Sequence, residues 1–253
     1  MTEHQLIQDL VTLSHWLGRE DLGLTILGEG NASVRQGQDS FWIKASGARM
    51  GQLTSADCTR IDLDQTLGLV DDDTLSPVEE AAEIAPHDPA HKRPSVETFL
   101  HAVCYAETAA EWVGHTHPTS VLGLVTTAEG TAAFQRHIYP DAIVVCGRHV
   151  AVVPYVSPGI ALARAARTEI RRFIRRHGGP PKMVLMRNHG MVAIGQSATE
   201  VRNITLMADK WATVLTVARM FGGPTYLTDT EADSIDIRPD EHYRRGQLTK
   251  KSE

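Results

Sequence analysis

Gly114-His115-Thr116-His117-Pro118 sets two histidines two residues apart, and Asn188-His189-Gly190 sets a third beyond the apolar run Met183-Val184-Leu185-Met186. Side chains on an extended segment alternate faces with period two, so His115 and His117 point the same way. Two imidazoles on one face can share a metal. A third, delivered from the end of a distant buried strand, completes a set with one position left open, which separates a catalytic Zn²⁺ site from a closed structural one. The other histidines (His4, His15, His87, His91, His101, His137, His149, His177 and His242) are read as surface or satisfied core residues.

Glu97 stands in Pro94-Ser95-Val96-Glu97, in the first turn of a helix ahead of the histidine strand. An acid there either complements the helix N-terminus or lies beside the metal as ligand or general base, and spacing leaves both readings open. Gly28-Glu29-Gly30-Asn31-Ala32-Ser33 and Lys44-Ala45-Ser46-Gly47 join small residues to hydroxyl and amide groups. Such loops let backbone approach a ligand and can form an anion nest, although by themselves they are ordinary turns.

The elements that must position these groups follow from apolar periodicity. Leu6, Ile7, Leu10, Leu13 and Leu17 predict a helix over 4–20, broken by Gly23, Gly28 and Gly30. Phe41-Trp42-Ile43 reads as a strand after a turn at Gly37 and Asp39. Residues 70–94 are acidic and proline-punctuated, which predicts a short helix and a long surface connection and no domain boundary, because no core-sized segment precedes them. Ser95 is placed as the N-cap of a helix running to about Ala110. A strand at 112–116, a helix at 119–127, strands at 142–146 and 150–154 and a helix at 159–177 follow. A strand at 183–187, the Asn188 turn, a strand at 191–194 and a helix at 199–219 complete the order. From Asp229 the chain is charged and reads as a loosely docked tail on one domain spanning 1–253.

The chain has 253 residues, of which 42% are hydrophobic, and a formal charge of −6. It can bury a sizeable core, and its charge argues against nucleic-acid binding, which needs a concentrated basic surface. Arg171, Arg172, Arg175 and Arg176 fall at helical spacing and read as a solvated face near a helix C-terminus. Three cysteines, Cys58, Cys104 and Cys146, lack the density of a disulfide framework. With no signal-peptide pattern and no apolar run of membrane-spanning length, a cytoplasmic location is expected. No glycine-rich dinucleotide fingerprint is present.

Taken in order, GEGNAS, IKASG, PSVETFLHA, GHTHP and RNHG resemble the class II aldolase/adducin family over roughly residues 5–220. The version PSVETFLHA, with GEGN and Val153-Pro154-Tyr155-Val156-Ser157-Pro158-Gly159, is most similar to the aldolase portion of bifunctional rhamnulose-phosphate aldolase/dehydrogenases. The resemblance implies a three-layer α/β/α fold with a mainly antiparallel or mixed central sheet flanked by helices. It implies that His115, His117 and His189 bind a divalent metal, Zn²⁺ or another such as Mn²⁺. Glu97 would ligate the metal or take the substrate's proton, and Asn31, Ser46, Gly47 and Ser95 would hold a phosphate. Many sugar-phosphate members carry a second serine where this chain has Val96, so one phosphate hydroxyl is missing, and Lys44 or Arg93 could supply charge instead. Tyr139, Tyr155 and Tyr243 are the candidates to protonate the leaving oxygen. The implied chemistry is retro-aldol cleavage of a ketose phosphate or related sugar ketone through a metal-stabilised enediolate, in a homotetramer. The same enediolate serves a 3-oxo sugar acid decarboxylase or a sugar-phosphate 4-epimerase, and a non-catalytic adducin-like module is the remaining alternative.

Overall fold

The computed structural model describes residues 2–76, 79, 83, 84 and 86–248. Helix α1 (Glu3–Leu17) leads into strands β1 (Asn31–Gln36), β2 (Ser40–Lys44) and β3 (Cys58–Asp62), then helix α2 (Leu63–Asp71). Helix α3 (Thr98–Glu107) precedes strand β4 (Trp112–Thr116) and helices α4 (Thr119–Val125) and α5 (Pro140–Cys146). Strand β5 (Ala151–Val153), helix α6 (Ile160–His177), the hairpin β6 (Met183–Met186) and β7 (Gly190–Gly195), and helix α7 (Ala198–Met220) complete the main body. Helices α8 (Asp229–Asp236) and α9 (Pro239–Leu248) follow.

The strands form one seven-stranded sheet in the order β3-β2-β1-β4-β7-β6-β5. All neighbours are antiparallel except β5 and β6, which run parallel. Both faces are buried, so successive residues feed two different cores. Trp112, Met191, Ala193, Met183 and Leu185 join one core with Leu10 and Leu17 of α1 and Trp211 and Leu215 of α7. Val113, Val192, Ile194, Val184 and Met186 join the other with Phe99 and Val103 of α3 and Ala163 and Ile170 of α6. A sheet covered on both faces by helices is the three-layer arrangement expected of such two-sided strands.

The helix ends follow local chemistry. Thr2 caps α1 through the amide of Gln5, and Ser197 caps α7 through that of Glu200. Gly178, at φ +78°, closes α6 after Arg175 and Arg176, whose charges suit that end of the helix dipole. On that helix Arg171 pairs with Glu107 and Arg172 with Glu169, as expected of a solvated basic face.

Several sequence expectations are corrected. Residues 142–146 are helical, not a strand: Pro140 presets the first turn, and continuous burial of Ala142–Cys146 leaves no alternation to distinguish the two. The helix after Pro94 begins at Thr98 with Glu97 as its N-cap residue; Ser95 contributes its carbonyl to Thr98 N–H and no side-chain cap. The segment from Asp229 carries two helices, and Arg148 holds α8 through Asp229 and Asp233. Strands β1 and β3 and helix α2 escaped the sequence reading because small and polar residues fill much of them. The short helix expected within 70–94 falls largely outside the described residues.

Candidate metal centre

Strand β4 delivers His115, and His117 follows directly on the same face, toward α3. Gly114, on the opposite face, packs against α7 and α1, where a Cβ would lie 2.6 Å from Val201 Cγ1. The β6–β7 hairpin delivers His189 through a three-residue connection in which Asn188 takes φ +54°, a conformation Asn tolerates better than most residues. Gly190 then passes under the His117 ring; a Cβ there would stand 2.6 Å from the Thr116 carbonyl oxygen and 2.7 Å from His117 Cδ2. Glu97 enters from the start of α3. One donor atom each from Glu97, His115, His117 and His189 lies within 4.8 Å of all the others.

The hydrogen bonds fix which ring atoms face inward. His115 Nδ1 lies 2.9 Å from the Met191 carbonyl, which can only accept, so Nδ1 carries hydrogen. His117 Nδ1 lies 3.2 Å from Glu29 Oε2, with the same consequence. Their Nε2 atoms stand 3.0 Å apart, and Glu97 Oε1 lies 3.4 Å from His115 Nε2 and 3.0 Å from His189 Nε2. When the imidazoles are neutral, lone pairs converge on one point, an arrangement that calls for a cation. The donor set therefore fits a divalent metal, and three nitrogens with a carboxylate suit zinc.

Electrostatics without the metal agree. Burial would raise the Glu97 carboxyl, but His115 and His189 outweigh it and hold Glu97 well below the usual carboxylate range. Burial opposes a charge on His115, yet Glu97 overcomes this and raises its pKa. His117 is pushed down to about 4, by burial first and then by its two imidazole neighbours.

The other expected site residues are placed unevenly. Asn31 is buried beside this cluster, its Nδ2 donating to Glu97 Oε2 at 2.7 Å. Ser46 and Gly47 lie exposed on the turn after β2, Gly47 at φ +75°. The Ser95 hydroxyl is buried and without a partner among the described residues. Lys44 cannot serve as a free cation: it is 3% exposed, and its ammonium is turned onto the carbonyls of Gly28, Ala45 and Ala48. Tyr139 donates to Met207 Sδ, while Tyr155 and Tyr243 are exposed.

Two contributors were missed in the sequence. Glu29 was read as part of a nest; its place between two glycines before a strand is that of an ordinary turn acid, and its partner His117 is 88 positions away. His101 was read as an ordinary core histidine; it is buried and bonded to Asn31 and Ser33.

A mixed seven-stranded sheet between helical layers, with three histidines and a glutamate at one end, defines the class II aldolase architecture. The chain matches the Class II Aldolase and Adducin N-terminal domain over residues 8–216 and belongs to that family. The family depends on a divalent metal, and its members among the relatives include enzymes. Methylthioribulose-1-phosphate dehydratase of Cronobacter sakazakii is 25% identical over 210 residues, covering 80% of this chain and 89% of its own length. YuxG of Bacillus subtilis, named an oxidoreductase, is 27% identical over 203 residues, but the chain spans 27% of that protein's length. It likewise spans 29% of a bifunctional methylthioribose-1-phosphate isomerase/methylthioribulose-1-phosphate dehydratase of Nocardia farcinica. Among solved structures, YgbL of Klebsiella pneumoniae superposes with a TM-score of 0.73 at 22% identity, covering 93% of this chain and 99% of that one. An L-fuculose 1-phosphate aldolase gives 0.72 at 20% identity, covering 96% and 98%. Among the described residues no helix is long and apolar enough to cross a membrane.

Proposed function

We propose that the protein is a divalent-metal-dependent lyase that cleaves a ketose phosphate or related sugar ketone by retro-aldol reaction, with zinc held by His115, His117 and His189. The observation that carries this reading is the convergence of three imidazole nitrogens and Glu97 Oε1 on one point. The bound ion supplies a Lewis acid for the negative charge that develops on the substrate's carbonyl oxygen. The rest is the work of the chain's own groups. Glu97 stays ionised, so it can accept a hydroxyl proton from the substrate and return it to the carbon left by bond cleavage. Met191 and Glu29 hold two imidazoles by Nδ1, so the rings cannot turn away. The Ser95 hydroxyl, buried and without a partner among the described residues, and the exposed turn at Ser46 and Gly47 form the proposed end for phosphate, with Asn31 at its inner limit. Val96 and the occupied Lys44 leave that end poor in donors, which supports extending the substrate class to unphosphorylated sugar ketones. Tyr155 and Tyr243 are the proposed donors to the leaving oxygen, reaching the site of a neighbouring copy in a homotetramer; Tyr139 is turned toward Met207.

A second reading is dehydration of a ketose phosphate. It is favoured by the dehydratase relatives, which match this chain over 89–90% of their own length. A 3-oxo sugar acid decarboxylase or a 4-epimerase would draw on the same groups. The intact donor set counts against a non-catalytic module. Three buried free thiols, all pushed up to about 12 by burial, support a reducing compartment such as the cytoplasm.

The test is deuterium uptake from D₂O into dihydroxyacetone phosphate, followed by NMR on metal-loaded and chelated protein. A parallel incubation uses L-fuculose 1-phosphate and methylthioribulose 1-phosphate. Metal-dependent exchange that is lost in His117→Ala, with release of a triose phosphate, is the expected result. Loss of water without carbon–carbon cleavage would replace the aldolase with the dehydratase. No exchange and no cleavage with metal bound would overturn the retro-aldol reading.

A further inference from the structure

Glu97 terminates a line of buried hydrogen bonds that runs from the candidate metal centre into the second core. Their directions follow by elimination. An ionised carboxylate can only accept, so the group 2.7 Å from Glu97 Oε2 is the Asn31 amide nitrogen. The other end of that amide, Oδ1, also only accepts, so His101 Nε2, bonded to it, must carry the hydrogen. A neutral imidazole with hydrogen on Nε2 accepts at Nδ1, where Ser33 Oγ lies at 2.7 Å and donates. The Ser33 proton is then committed, and the Tyr105 phenol donates to Ser33 Oγ across 2.6 Å. Every bond points toward Glu97.

The two elements supply this line by matched periods. Asn31 and Ser33 are two apart on β1, about 6.6 Å along a strand. Glu97, His101 and Tyr105 are four apart along α3, about 6 Å per step. The near-equal repeats let the two rows interleave, Glu97–Asn31–His101–Ser33–Tyr105. Ser33, His101, Asn31 and Tyr105 are each 2% exposed or less, so water does not compete for these bonds. Burial holds the His101 pKa down at about 3, consistent with a neutral ring. Asn31 is also the residue that the family resemblance assigned to phosphate, yet its amide here is committed to Glu97.

We propose that Asn31, His101, Ser33 and Tyr105 are positioning residues for Glu97. They hold Oε2 in place through one fixed tautomer of His101, and they leave Oε1 turned to His115 and His189. This rests on the reading of Glu97 as the carboxylate that meets metal and substrate. It adds that the orientation of this carboxylate is set from the core, by a histidine that touches neither.

The test uses the full chain. A two-bond ¹H–¹⁵N spectrum of the metal-free protein should show His101 neutral with hydrogen on Nε2, unchanged between about pH 5 and 8. A ring with hydrogen on Nδ1, or a charged ring, would overturn the proposal. His101→Leu removes the donor, and His101→Gln keeps an amide nitrogen at the place of Nε2. For His101→Leu, affinity for Zn²⁺ in a chelator competition should fall about 10–100-fold, and kcat should fall with little change in KM. His101→Gln should restore most of both. Equal behaviour of the two variants, or wild-type affinity in His101→Leu, would also overturn it. A wild-type chain with no turnover on any sugar ketone, but with the expected tautomer and the expected affinity order, would overturn the reading of the reaction while keeping the positioning line.

Discussion

Replacing Glu29 by Gln probes whether the outer hydrogen bond to His117 holds the cluster together. Glu29 Oε2 accepts from His117 Nδ1 at 3.2 Å, and its Oε1 accepts from the Ile26 amide at 2.7 Å, so the side chain is anchored at both oxygens. A glutamine can keep one of these bonds as acceptor. The other end becomes an NH₂ group, which, facing Nδ1, favours the tautomer with hydrogen on His117 Nε2, the atom facing His115 at 3.0 Å. That hydrogen blocks the inward lone pair. Losing an outer partner of a metal-binding histidine costs about 10–100-fold in metal affinity. The bond here is long and Glu29 is 31% exposed, so the lower end applies, about tenfold or ~1.4 kcal/mol. Competition with a zinc chelator at fixed pH measures the change, and circular dichroism confirms the fold. Unchanged affinity in Glu29→Gln and in Glu29→Ala would refute the assignment of Glu29 as the group that orients His117.

Gly190→Ala places a methyl against the Thr116 carbonyl and the His117 ring, and should lower the melting temperature and weaken zinc binding together, since neither neighbour can withdraw without moving a donor. Metal binding must displace the proton that Glu97 stabilises on His115, whose pKa is raised. Zinc affinity should therefore rise with pH through and above neutrality, with proton release visible by calorimetry in buffers of different ionisation enthalpy. His101 is held down to about 3 in the fold against about 6.5 unfolded, so the unfolded chain takes up a proton that the native chain refuses. Its contribution is present above pH ~6.5 and is lost as pH falls toward 3, at up to ~1.4 kcal/mol per unit; denaturant melts at pH 7 and 5 should show a shallower loss in His101→Gln. Trp211 is fully buried, stacked on His137 and edge-on to Phe134. Trp211→Ala should cost about 3–5 kcal/mol in urea unfolding while leaving the donor set of the candidate metal centre intact.

The histidine set was legible because the chemistry is concentrated in short motifs and because period-two alternation predicts a shared face for His115 and His117. The sheet was legible where strands were apolar, as in β4, β6 and β7. It was not legible at β1, where Asn31 and Ser33 are polar because they supply the positioning line, and Arg35 and Gln36 because the strand's last two residues are only half-buried. Helix α5 was misread because Ile143, Val144 and Val145 are β-branched and buried on every side, which removes both local signals. Glu29 and His101 were invisible for a different reason. Each acts through a partner remote in sequence, and nothing local distinguishes an acid in a turn or a histidine on a buried helix from the ordinary case.

The candidate centre is also a statement about the order of assembly. Its bonds join residues separated by 66, 70, 88 and 92 positions along the chain. Contacts of that span carry a large loop-closure entropy and form late, after local helices. During synthesis no complete donor set can exist until the β6–β7 hairpin has been made and has docked on β4. A metal that binds the finished set and not its fragments withdraws folded chains from the equilibrium, by about 2.7 kcal/mol when free metal is a hundred times its dissociation constant. Metal supply should then set how much of the newly made chain survives as folded protein, independently of how fast each folded molecule turns over.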